Sequence, residues 1–206
     1  MTNPYALNLS KFSTHNKILR NIGENKAVLD IGCNEGYLGI SSSKSNVFYG
    51  LDYMENTVKK AKKRYKDAIV YDLNNLRNLP WKQKFDVIVF ADVLEHVLYP
   101  DKVLQYFSDH YLKDDGTIIL SLPNIANWQV RLKLLSGNFD STETGIMDKT
   151  HLHLYTYRKA GKLAKAANLK ISKTMAGASI FGPIIYLLPF AKGLLATNII
   201  LVLSKA

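Results

Sequence analysis

Five short apolar runs, at 27–31, 47–51, 68–71, 85–90 and 117–122, divide the first 124 residues into similar lengths. They lack the polar alternation of a half-exposed sheet, so they suit strands buried on both faces, as in a parallel sheet covered by helices. Between most of them lie helix-compatible segments. In one of these, Val58, Ala61 and Tyr65 form an inward stripe at spacings of three and four, and Lys59, Lys60, Lys62, Lys63, Arg64 and Lys66 supply the outer face of a single predicted helix. Alternating strands and helices predict an α/β, doubly wound, mostly parallel sheet whose ligands bind at the carboxyl ends of the strands. Those ends read Asp30-Ile31-Gly32, Asp52-Tyr53, Asp72-Leu73, Ala91-Asp92 and Pro123-Asn124, and four of the five carry an acidic residue.

After Asn124 the pattern loosens. Helices are predicted at 128–135 and 157–168, a turn-rich stretch at 136–149, and two last strands at 170–176 and 198–203. The apolar segment 180–203 has one charged residue, Lys192, and a spanning helix needs about 20 mainly apolar residues. Pro183, Pro189 and Gly193 interrupt it, which predicts a broken helix leading into an edge or antiparallel strand. Peripheral membrane contact is the alternative.

Composition narrows the class. At 206 residues, with 47% hydrophobic and 21% charged, the chain is sized for one globular domain and unlike disordered or fibrous sequences. A net charge of +10 suits nucleic acid, an anionic surface or plain solubility; the lysine-rich helix reads as a solvated face, with phosphate contact as the alternative. Cys33 is the single cysteine, so no internal disulfide forms, and its place in a glycine-rich turn marks it as a small turn residue. The first residues lack the basic-then-apolar pattern of a secretory leader, which points to the cytoplasm.

The run Val28-Leu29-Asp30-Ile31-Gly32-Cys33-Asn34-Glu35-Gly36-Tyr37-Leu38-Gly39 takes a buried strand into a turn where glycines let backbone approach a ligand. It resembles the first motif of class I S-adenosylmethionine-dependent methyltransferases. Asn34 stands where glycine is common, a mild departure because asparagine tolerates a left-handed backbone. It also breaks the Gly-x-Gly-x-x-Gly spacing of nicotinamide dehydrogenases. The resemblance continues through Phe85-Asp86-Val87-Ile88-Val89-Phe90-Ala91-Asp92-Val93-Leu94-Glu95-His96-Val97 and 116–124, and covers about 27–168. It implies a Rossmann-like, seven-stranded sheet with an antiparallel final strand, binding S-adenosylmethionine and releasing S-adenosylhomocysteine. Asp30 would face the ammonium group, Gly32, Cys33, Asn34 and Gly36 would form the turn, and Asp52 with Tyr53 would meet the ribose. Asp72 and Leu73 would hold the adenine, with Ala91 and Asp92 completing the site. Taken singly, each aspartate also fits a helix cap or turn. The chain then divides into an N-terminal helical lid (1–26), a cofactor-binding core (27–124), an acceptor-side insertion (125–157) and a C-terminal helix with the final strands (158–206).

A sulfonium methyl is already electrophilic, so the protein's tasks are in-line alignment and exclusion of water. A hydroxyl acceptor also has to lose a proton, for which His96, His151 and His153 are candidate bases near neutral pH, with Glu95 beside them. An extended segment would put His151 and His153 on one face. The plainer reading has Glu95 and His96 bracing the loop and the later histidines serving backbone groups. Asp92-x-x-Glu95-His96 resembles the Glu-x-x-Glu-His metal cluster of some quinone-pathway and RNA-end methyltransferases, but the shorter aspartate argues against a metal. From Pro123-Asn124 through Arg131, Gly137 and Asp148-x-Thr150-His151, the chain resembles small bacterial methyltransferases of surface-glycan or methionine-related pathways. The expected acceptor is therefore a small molecule, with a glycan-like hydroxyl first. A nucleic-acid methyltransferase is the runner-up, weakened because no Asn/Asp-Pro-Pro-aromatic motif is present, and a non-enzymatic cofactor-binding protein is third.

Overall fold

The computed structural model describes residues 10–178 and 181–206. In chain order the elements are α1 (Thr14–Ile22), β1 (Ala27–Ile31), α2 (Tyr37–Ser41), β2 (Val47–Asp52), α3 (Glu55–Ala61), β3 (Asp67–Val70), β4 (Phe85–Ala91), α4 (Pro100–Tyr111) and β5 (Leu112–Pro123). There follow α5 (Trp128–Leu135), α6 (Tyr157–Ala166), β6 (Leu169–Gly177), α7 (Gly182–Leu187), α8 (Lys192–Leu195) and β7 (Asn198–Lys205). All seven predicted runs are strands, joined in the order β3-β2-β1-β4-β5-β7-β6. The first five are parallel, and β7 lies antiparallel between β5 and β6. The final strand is thus antiparallel, as expected, but interior, and β6 forms the edge.

Burial on both sheet faces explains the unbroken apolar runs. Leu29, Ile31, Ile88 and Phe90 pack on one side with Phe107 of α4 and Leu163 of α6. Val28, Val87 and Val89 pack on the other with Ile18 and Ile22 of α1 and Val58 and Ala61 of α3. A fully buried side chain of this size contributes about 1.5–3 kcal/mol, so the two layers hold the sheet and fix where its strand ends emerge. Winding runs outward from β1 to β3, then restarts at β4 on the opposite side, leaving a crevice above the carboxyl ends of β1 and β4.

Local signals set several boundaries. Ser13 caps α1 by accepting from Asn16 N at 3.2 Å, and Asn127 caps α5 by accepting from Gln129 N at 3.0 Å. Within 1–26, the described helix α1 is docked on the sheet, while residues 1–9 of the expected lid lie outside the described residues. The lysine-rich helix is shorter than its composition suggests. α3 stops at Ala61, and Lys62, Lys63, Arg64 and Lys66 follow in turns, because Lys66 N already donates to Phe48 O at 2.9 Å as β3 begins. Tyr65 still points inward. The apolar stretch before β7 is broken into α7, a single 3₁₀ turn and α8, and among the described residues no helix is long and apolar enough to cross a membrane.

Candidate functional site

At the end of β1 the backbone alternates into the left-handed region three times, at Gly32 (φ 73°), Asn34 (48°) and Gly36 (78°). The amides of Gly32 and Cys33 both donate to Leu51 O, at 2.8 and 2.9 Å, tying the turn to β2. Val93 lies against Gly32 so closely that any side chain there would collide with it. Asp52 Oδ2 accepts from Asn34 N at 2.8 Å, and Oδ1 accepts from Met54 N at 2.9 Å and Thr57 Oγ1 at 3.1 Å. Asp30 is buried and accepts from the Tyr65 hydroxyl at 2.6 Å. Burial pushes its carboxyl up to about 7, against the pull of that hydroxyl and with a further push from the charge of Asp52. Glu35 holds Lys60 at 2.7 Å and the Tyr37 hydroxyl at 2.8 Å, which keeps it below the usual carboxylate range.

The Cys33 thiol is packed over Gly50, where an added Cβ would come within 2.6 Å of Sγ, and burial drives its pKa far above the ordinary thiol range. It is a packing group, as its place in the turn predicted. Asp72 is exposed, accepting from Asn74 N at 2.9 Å, and the half-buried Leu73 borders a hollow of about 200 Å³ with Leu76, Tyr99 and Val103. Tyr53 stands 75% exposed at the rim. Three carboxylates and a positive-φ turn can thus complement a ligand bearing an ammonium, a ribose diol and an adenine amine, with no phosphate to neutralise.

Across the crevice, Ala91 ends β4 and Asp92 follows it. Asp92 has φ 54°, and its carboxylate accepts from Ser121 Oγ at 2.8 Å and from Asn198 Nδ2 at 2.9 and 3.0 Å. Burial raises its pKa, and these two donors oppose the rise. Asp92 therefore clamps β4 to β5 and β7 instead of joining Glu95 and His96 as the sequence motif suggested. The 3₁₀ turn Leu94–His96 buries Glu95 completely, and neither carboxylate oxygen has a hydrogen-bond partner among the described residues. Burial first, and then the charge of Asp92, push this carboxyl well above its ordinary range.

His151, rather than Asp92, stands beside Glu95 and His96. Its Nε2 stands 3.9 Å from Glu95 Oε1, and its ring lies 4.8 Å from that of His96, edge to face. Burial, followed by the nearby His96, lowers the pKa of His151. Both shifts favour the neutral forms. Nδ1 of His96 lies 3.2 Å from Thr150 O, and Nδ1 of His151 lies 3.2 Å from Ile146 O. A carbonyl at Nδ1 takes that proton and leaves the lone pair on Nε2 in each ring. One ligand atom from each of Glu95, His96 and His151 lies within 4.8 Å of the others, a donor set able to hold a divalent cation. His153 does not join them, because its Nε2 is 3.0 Å from Val97 O. Beside the trio, a cleft of about 450 Å³ is lined by Trp128, Val130, Leu132, Ile146 and Met147, with Gln129, Lys133, Thr142 and Thr144 as its polar members.

The sequence profile of a family described as a methyltransferase domain matches residues 6–174. The chain belongs to the methyltransferase-domain family. The ubiquinone biosynthesis O-methyltransferase of Glaesserella parasuis is 30% identical over 109 residues, which are 48% of this chain and 46% of that protein. The chain spans less than half the length of the curated relatives it matches. An S-adenosylmethionine-dependent methyltransferase of Clostridium acetobutylicum has the same fold, with a TM-score of 0.66, 16% identity, and coverage of 97% of this chain and 93% of that one. The magnesium protoporphyrin IX methyltransferase of Synechocystis, solved with bound S-adenosylhomocysteine, gives a TM-score of 0.65 and 18% identity over 94% of this chain and 82% of that one.

Four residues of the methyltransferase site escaped sequence reasoning. Tyr65 was legible as an inward residue, but its partner Asp30 lies 35 positions away. Val93 and Thr150 stood inside recognised motifs without a role of their own, and Asn198 only opened a predicted strand, since their roles arise when distant loops meet.

Proposed function

We propose that this methyltransferase transfers its methyl group to a hydroxyl of a small molecule with an apolar body. The observation that carries this reading is the unpartnered Glu95 carboxyl held beside two imidazoles at the edge of an apolar cleft. When bound, S-adenosylmethionine supplies an electrophilic methyl, so the chain has to bind, orient and deprotonate the acceptor. Asp30 takes the ammonium, Asp52 the ribose hydroxyls, and Asp72 with Leu73 the adenine edge, while Gly32, Asn34 and Gly36 bring backbone to the amino-acid portion. On the acceptor side, His96 Nε2 accepts the hydroxyl proton, its ring fixed through Nδ1 by Thr150. Burial favours a neutral His151 beside it, and the fully buried Glu95 carboxyl, 3.9 Å from His151 Nε2, positions that imidazole.

A phenolic or similar ring fits the mixed lining of the cleft, with Trp128, Val130, Leu132 and Met147 against its face and Gln129, Lys133, Thr142 and Thr144 near its polar groups. The names of the curated relatives, O-methyltransferases of ubiquinone biosynthesis, support the same choice. A second reading rests on the same orphaned carboxylate: Glu95, His96 and His151 would hold a divalent cation that binds two adjacent acceptor oxygens. Transfer of labelled methyl to a panel of catechols, phenols, sugars and RNA oligonucleotides tests the proposal. It expects turnover on the ring hydroxyls, lost in His96→Ala and retained after chelation. Turnover only on sugars or RNA overturns the acceptor class, and loss on chelation selects the cation reading.

A further inference from the structure

The charge excess is confined to one end of the chain. The last 58 residues carry nine Lys and Arg and no Asp or Glu, whereas the preceding 148 carry 18 against 17. The same acid-free stretch contains a run of large apolar side chains left in solvent. α7, the turn after it and α8 expose Tyr186 (81%), Leu187 (74%), Leu188 (45%), Phe190 (83%) and Leu194 (41%), while of α7 only Gly182 and Ile185 are buried. A segment this apolar is normally folded inward, and here its inward side is already filled by Ala176, Ala178, Ile185 and Ala196.

Cations stand around these residues. Lys192 lies 5.4 Å over the Tyr157 ring, and Arg158 and Lys159 follow Tyr157 as exposed residues in the first turn of α6. On the other side, Trp128 meets Phe181 edge-on at 5.9 Å, which joins α7 to the start of α5, where Arg131 and Lys133 are exposed. Exposed aromatic and aliphatic groups flanked by cations, on a stretch of chain that carries no acid, match the interfacial zone of an anionic bilayer. The helices are six and four residues long, so they can lie in a headgroup layer and cannot span it.

We propose that the α7–α8 segment docks this methyltransferase on anionic membrane surfaces, with Tyr186 and Phe190 inserted among the headgroups and the acid-free C-terminal cations facing lipid phosphates. The inference stands apart from the identity of the acceptor, because it uses none of the groups assigned to methyl transfer. α5 is shared between the docking surface and the wall of the apolar cleft, so docking brings the cleft close to the lipid.

Flotation of the full chain with phosphatidylcholine vesicles, with and without phosphatidylglycerol, tests the proposal. The protein should float with the phosphatidylglycerol vesicles and detach as salt is raised, while phosphatidylcholine alone holds much less. Tyr186→Ser combined with Phe190→Ser should weaken the association at least about tenfold, at unchanged S-adenosylhomocysteine affinity and melting temperature. The proposal is overturned if the wild type floats with neither vesicle, or if the double variant floats as well as the wild type. It is also overturned if the wild type is a dimer without lipid and the double variant a monomer, since the face would then join two copies of the chain.

Discussion

The two sides of the crevice above β1 and β4 are built differently. On the donor side the polar groups are already engaged: Asp52 holds three donors, Asp30 holds Tyr65, and Glu35 holds Lys60 and Tyr37. On the acceptor side Glu95 is buried with both oxygens unpartnered among the described residues, and His96 and His151 each have Nδ1 on a backbone carbonyl. A buried polar group without a partner costs about 1–3 kcal/mol, so the acceptor side carries a cost that a ligand would relieve. The contrast separates a preformed cradle from an end that is completed on binding.

The largest effect should break the acceptor side alone. His96→Ala should lower kcat by about 10²–10⁴-fold while S-adenosylhomocysteine affinity stays within about twofold, read by turnover and calorimetry. Equal loss of both would place His96 in the cradle. Next, Asp52→Ala should weaken S-adenosylhomocysteine binding by about 10–100-fold, since hydrogen bonds to a charged group are worth about 1.5–3 kcal/mol. Its melting temperature should shift little, because the donors released at Asn34, Met54 and Thr57 lie at a partly exposed strand end.

How far the contrast was legible in sequence follows from the range of the contacts that create it. Asp30, Gly32, Asn34 and Gly36 sit within seven residues, and Asp52 follows at the next strand end, so period and spacing suffice to find them. Strands β1, β2, β4 and β7 were legible for a similar reason, because burial on both faces writes itself as an unbroken apolar run, whereas the edge strand β6 is mostly exposed. The acceptor side depends on contacts across long separations. Thr150 reaches His96 over 54 residues and Asn198 reaches Asp92 over 106, and these contacts send Asp92 to the sheet and bring His151 to Glu95. No local pattern encodes that exchange. The overlong basic helix is a smaller case, where composition continued but pairing with β2 ended the helix at Ala61.

Two pH effects sharpen the comparison further. With Asp30 raised to about 7 in the free protein, pairing with an ammonium requires it to ionise, so S-adenosylhomocysteine affinity should fall by about tenfold between pH 8 and pH 6. Asp30→Asn should bind more weakly and flatten that dependence; a slope that survives the substitution would assign it to another group. The smallest effect is on stability. The pKa of Glu95 is raised on folding, so its contribution is full below its unfolded value and is lost as pH rises toward the folded one. Glu95→Gln should therefore gain relative stability at alkaline pH, by about 1 kcal/mol, in denaturant titrations at pH 5 and pH 8.

The central claim is that the cradle and the trio face one ligand from opposite sides. A structure of the S-adenosylhomocysteine complex tests it most directly. The account predicts the ribose hydroxyls on Asp52, the adenine against Leu73 with its amine toward Asp72, and the sulfur facing the Glu95–His96–His151 opening. A ribose placed away from Asp52, or a sulfur turned from that opening, would contradict it.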